Sequence, residues 1–189
     1  MSKPTSKITR TINSEQVLTA FVAVVRKNLP LNLKNTRITE DDIIYALAYA
    51  NVHRLSIESA CQELQGAPSG NRLREVLVDA LPDRIGMQRM LNRMFRQQLH
   101  PSIWKGKRDF NIAIDLTLIP YHGQPYEDKK EIVRSLPKSG TTHFHGYATV
   151  SIVRDDRRYV VALHFIEYGE EMADIVRWLI KRLKTLKIR

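Results

Sequence analysis

The 189-residue sequence predicts an α+β protein, a helical N-terminal region followed by a strand–strand–strand–helix region. Three observations carry this expectation. Through the first half, apolar residues recur every three or four positions, which is the spacing of one helix face. After residue 108 they alternate with polar residues, which is the spacing of a strand. Between the two, PSIWKGKRDF holds a proline, a glycine and three basic residues, the composition of a join. The expected division is therefore residues 1–104 and 105–189.

The helices follow in order. Residues 14–28 place Val17, Leu18, Phe21, Val24 and Val25 at helical spacing, with Ser14 as cap and Pro30 as terminator. A second helix starts at Thr39, where Thr39-x-x-Asp42 has the form of a capping arrangement and Ile43, Ile44, Leu47 and Ala48 follow. A short helix over 56–64 meets the turn QGAPSGN, and another runs over 71–81 until Pro82 breaks it. A longer helix then carries Ile85, Met90, Leu91, Met94, Phe95 and Leu99. The two short helices about QGAPSGN suggest a helix-turn-helix, although a helical hairpin within a bundle gives the same pattern. In a helix-turn-helix, Arg72 and Arg74 would open the recognition helix, where base and phosphate contacts are made.

In the second half, strand spacing covers 109–120, 142–153 and 157–166. Asp155-Asp156 marks a hairpin turn between the last two. Residues 121–141 hold Gly, Pro and many charges and read as a long loop. A final helix over 170–187 sets Met172, Ile175, Val176, Leu179 and Leu183 on one face and Arg177, Lys181, Lys184 and Lys187 on the other.

Charge bounds the partners. Thirty Lys and Arg against twenty Asp and Glu give a net charge of +10, and residues 69–108 hold nine basic and three acidic residues. Such an excess points to a polyanion, with double-stranded DNA ahead of an anionic membrane surface. No run is long and apolar enough to span a bilayer, MSKPTSKITR lacks the apolar stretch of a signal peptide, and Cys61 is alone. A cytoplasmic, nucleoid-associated protein is the expectation. Lys105, Lys107 and Arg108 in the join are candidate backbone contacts, as are Lys129, Lys130 and Lys138 in the 121–141 loop, which also holds Arg134. In that loop Glu127, Asp128 and Glu131 offset the charge.

The residue that asks for chemistry is Asp115. In FNIAIDLTLIPYHG, Ile112, Ile114, Leu116 and Leu118 share one strand face while Asn111, Ala113, Asp115 and Thr117 share the other. Asp is depleted in strands, so its place here marks either a wet face or a functional carboxylate. His143 and His145 share a face of the next strand, where a polar or DNA-facing surface is the first reading and zinc the lesser one. No HExxH, no cysteine partner, no GxSxG elbow and no phosphate-cradling glycine motif is present.

IAIDLTLIPYHG, KSGTTHFHGYATVSIV, RRYVVALHFI and DIVRWLIKRLKTLKIR together resemble the first part of the catalytic domain of prokaryotic insertion-sequence DDE transposases, over residues 109–189. The resemblance implies a partial RNase H-like fold with a mixed sheet. It implies that Asp115 is the first catalytic, metal-binding carboxylate, with Mg²⁺ or Mn²⁺ as cofactor in the complete enzyme. It further implies terminal inverted repeats as the DNA partner, homo-oligomerisation, and two more carboxylates beyond Arg189, so that the chain reads as truncated and inactive alone. Two other functions fit the residues: a DNA-binding regulator without enzymatic activity, and an RNase H-like nuclease acting on RNA or hybrid duplexes.

Overall fold

The computed structural model describes residues 13–34, 36–100, 103, 109–124, 130–154 and 156–186. They form an α+β protein in two compact units, residues 1–81 and 82–189. The chain therefore divides at Pro82, ahead of the fifth helix, where the sequence pattern placed the division after it.

The first unit holds α1 (Ser14–Asn28), α2 (Glu40–His53), α3 (Ile57–Glu63) and α4 (Gly70–Ala80). Each starts at a side-chain cap that accepts from an otherwise orphaned backbone N–H: Asn13, Thr39, Ser56 and Ser69. Thr39 and Asp42 form a reciprocal capping box, as the sequence indicates. At α1 the cap is Asn13 with Gln16, one residue before the expected Ser14. Ile38, Ile43, Ala46, Cys61, Leu73, Val76 and Leu77 form the core of this unit. Gly70 sits where α4 starts against α3, and a Cβ there would lie 2.6 Å from the Cα of Glu58. Val17, Leu18 and Phe21 of α1 stand exposed beside Val52 of α2, so much of the apolar stripe of α1 lies outside that core.

The second unit holds α5 (Arg84–Gln98), β1 (Asn111–Pro120), β2 (Val133–Lys138), β3 (Thr141–Arg154), β4 (Arg157–Ile166) and α6 (Met172–Thr185). β3 is the central strand. β1 runs along one edge of it, and β4 followed end to end by β2 runs along the other. All three pairings are antiparallel, which corrects the expected mixed sheet to an antiparallel one of four strands. The added strand, β2, occupies part of the segment read as a loop. It is short, contains Pro137, and pairs irregularly, so alternation alone conceals it. Its turn is legible in retrospect: Ser139 (φ 52°) and Gly140 (φ 76°) are both left-handed, the two-residue turn whose twist suits a hairpin.

The register sorts the side chains into two faces. Ile112, Ile114, Leu116 and Leu118 pair with Ile152, Val150, Ala148 and Gly146. On this face Phe144, Ala148, Val150, Ile152, Ala162 and Ile166 meet Ile175, Leu179 and Leu183 of α6; of the β1 residues Leu118 packs against that core, while Ile112, Ile114 and Leu116 remain exposed. Asn111, Ala113, Asp115 and Thr117 point to the opposite face.

α5 belongs to this sheet. Asn92, 4 % exposed, donates from Nδ2 to the carbonyl of Leu163 and accepts from the Leu163 N–H, both at 2.8 Å. Gln88 accepts from the Phe165 N–H at 2.6 Å, and the Arg84 guanidinium donates to the carbonyl of Ile166 while lying over the Phe165 ring. Residues 84, 88 and 92 recur every four positions on one stripe of α5. The stripe occupies backbone groups of β4 that would otherwise offer an open strand edge.

Candidate functional site

Asp115 lies mid-strand in β1, exposed, with Thr149 as its cross-strand partner. Thr117 stands two residues along on the same face, opposite Tyr147, and Ile119 stands opposite His145. Thr117, Tyr147, Thr149 and His145 are half-buried. The Tyr121 ring meets the His145 imidazole edge-on, with centroids 5.2 Å apart, and the Thr141 hydroxyl donates to the Tyr121 carbonyl at 2.7 Å. These contacts fix the strand end that follows Asp115. The face is thus a carboxylate among hydroxyls and imidazoles, mounted on two paired strands.

That set does not by itself make a metal centre. Mg²⁺ takes oxygen ligands, and protein carboxylates must converge on it from separate elements. Among the described residues no group of three His, Cys, Asp or Glu side chains is placed to hold an ion. His143 engages the neighbouring Thr142 hydroxyl at 3.3 Å, and His164 is held by Glu170 on the other face of the sheet. A cleft of about 260 Å³ on the α6 side is lined by Leu116, Leu118, Val133, Met172 and Ile175 among others, and Asp115 is not part of it.

The predicted DNA contacts separate into three groups. Arg72 and Arg74 stand on the exposed side of α4, but each has an acidic neighbour: Arg72 meets Glu75 at 2.8 Å, and Arg74 lies 3.6 Å from Glu58. Lys130 is exposed ahead of β2, and Lys138 is exposed as its last residue. Lys105, Lys107, Arg108 and Lys129 lie outside the described residues.

A better-placed set of cations lies on α5. Arg89, Arg93 and Arg96 are exposed on α5 at i, i+4 and i+7, and none has a carboxylate partner among the described residues. They stand on the solvent side of the helix whose Arg84, Gln88 and Asn92 face β4. The nine basic residues of 69–108 include all of these arginines, yet only the packing tells which are free. Spacing of four along a helix was the available signal.

Cys61 is no candidate nucleophile. Burial pushes its thiol above the ordinary range, and the Glu58 carboxylate adds to the shift. No helix among the described residues is long and apolar enough to cross a membrane. No protein-family model matches the chain, and no curated protein or solved structure shows significant similarity to it.

Proposed function

We propose that the chain is a DNA-binding portion of an insertion-sequence transposase of the DDE type, with Asp115 as the first of its three carboxylates. The observation that carries this reading is the position of Asp115, on the strand next to the central β3 and on the face that α6 leaves uncovered. The antiparallel order β1–β3–β4 followed by a covering helix supports an RNase H-like arrangement. The net charge of +10 and the α5 arginines that have no carboxylate partner among the described residues support double-stranded DNA as the partner. Asp115 supplies one carboxylate toward Mg²⁺ or Mn²⁺, and the chemistry of a two-metal phosphodiester cut requires others.

DNA binding tests the reading first. Affinity for duplex DNA is expected to fall steeply with salt, because each neutralised phosphate releases counterions. A flat dependence between low and physiological ionic strength would overturn it. Arg72→Ala with Arg74→Ala is expected to weaken binding to the element's terminal repeat more than binding to random duplex. Equal losses on both would remove α4 as a recognition helix. The purified 189 residues are expected to bind DNA without cutting it; Mg²⁺-dependent cleavage lost on Asp115→Ala would assign this chain a complete nuclease site.

A further inference from the structure

We propose that the C-terminal half of α6 carries a second nucleic-acid contact, a stacking site for an unpaired base and its adjoining phosphates. Trp178, Lys181, Arg182 and Thr185 recur at i, i+3, i+4 and i+7 and line one shallow hollow of about 200 Å³. No carboxylate lines it. Lys181 and Arg182 have no acidic partner among the described residues, whereas Arg177, one turn earlier, is held by Asp174. Arg182 is half-buried, so its charge is less screened than that of a fully extended surface arginine.

The indole is fixed before any ligand arrives. Trp178 packs against the sheet core and meets the His164 ring at 4.7 Å, and His164 Nε2 is in turn within 2.9 Å of Glu170 Oε1. An aromatic held in this way loses little rotamer freedom on binding, which is the cost that usually weakens a surface contact. A flat π-surface flanked by an ammonium and a guanidinium matches a nucleobase with its phosphates, while the Thr185 hydroxyl donates to the Arg182 carbonyl at 2.6 Å. Such stacking tolerates any base.

The sheet separates this hollow from Asp115, since α6 covers one face and Asp115 stands on the other. A strand lying on α6 is therefore distinct from one lying at Asp115, and the α6 site stands whether or not Asp115 has a catalytic role.

The sequence has two tryptophans, so Trp104→Phe leaves Trp178 as the reporter. In that background, titration with an oligothymidylate at low salt is expected to quench the tryptophan fluorescence to saturation. Lys181→Gln with Arg182→Gln, both on the helix surface, leaves the Trp178 stack in place and removes two phosphate-facing charges, and is expected to weaken the single-strand affinity at low salt about tenfold. Binding of a labelled duplex by the same variant is expected to stay near parental, which separates this site from the duplex-binding reading. Unchanged fluorescence on oligonucleotide addition, or parental single-strand affinity in the double variant, would overturn the proposal. A response to anionic phospholipid vesicles without one to the oligonucleotide would overturn it in favour of a membrane surface.

Discussion

The two units are stabilised by different kinds of information. In the helical unit, four consecutive helices each begin at a capping side chain that accepts from the N–H three residues on. In the sheet unit, α5 also begins at a cap, Asp83, but is fixed to β4 by hydrogen bonds across more than seventy residues, and α6 starts without a side-chain cap. Local rules therefore decide where the first unit's helices begin, whereas the second unit depends on partners that chain order does not announce. The comparison teaches where single substitutions should hurt. In the first unit they act at helix starts and close approaches, and in the second at the joint between helix and strand.

The largest expected effect is at that joint. Asn92→Ala strips Leu163 of partners for both its N–H and its carbonyl at a buried position. Each orphaned group costs about 1–3 kcal/mol, so a loss of about 3 kcal/mol is expected. Urea unfolding should show the midpoint falling with little change in slope. A change under about 1 kcal/mol would mean that water reaches this edge of β4 and that α5 is not its cover.

The matching test in the helical unit is Gly70→Ala. Alanine is ordinarily the better helix former by about 1 kcal/mol. Here its methyl would lie 2.6 Å from the Glu58 Cα and 2.9 Å from the Glu58 N, and backbone cannot swing aside as a side chain can. A net loss of about 2 kcal/mol is expected from the forced separation of α3 and α4. A variant as stable as the parent, by thermal melting followed by circular dichroism, would show that the two helices are not held at this approach.

These two sites also show what could be read in the sequence. Thr39-x-x-Asp42, the apolar stripes of α2 and α6, and the alternation of β1, β3 and β4 are local, and each predicted its element. β2 was hidden because Pro137 and two charged residues break its alternation, although Ser139-Gly140 carries the turn signal. The membership of α5 was hidden because Arg84, Gln88 and Asn92 look like an ordinary wet stripe until β4 is beside them. The same holds for charge. The sequence shows nine basic residues over 69–108, but it does not show that Glu75 and Glu58 pair with Arg72 and Arg74 while Arg89, Arg93 and Arg96 have no carboxylate partner among the described residues. Asp115 is legible as a carboxylate on a strand, and its cross-strand neighbour Thr149 follows only from the register.

The smallest effect on stability is expected at Asp115, and it sharpens the comparison from the functional side. Asp115 and Asn92 belong to the same unit, but Asn92 is buried and hydrogen-bonded to Leu163 and Asp115 is exposed on the face opposite α6. Asp115→Asn keeps the shape and one acceptor oxygen and removes only the charge. The folded protein should barely register it, within about 0.5 kcal/mol as for surface substitutions generally. Duplex binding should likewise persist, since the free cations lie on other elements. In a chain that also carries the second Asp and the Glu, the same substitution should abolish metal-dependent cleavage and strand transfer, because a neutral amide is a poor ligand for a hard divalent cation. A carboxylate that costs nothing to fold and everything to cut has a role only in chemistry. Cleavage at the parental rate in that variant would reduce Asp115 to a solvated position on a wet strand face, and the transposase reading would lose the residue on which it rests.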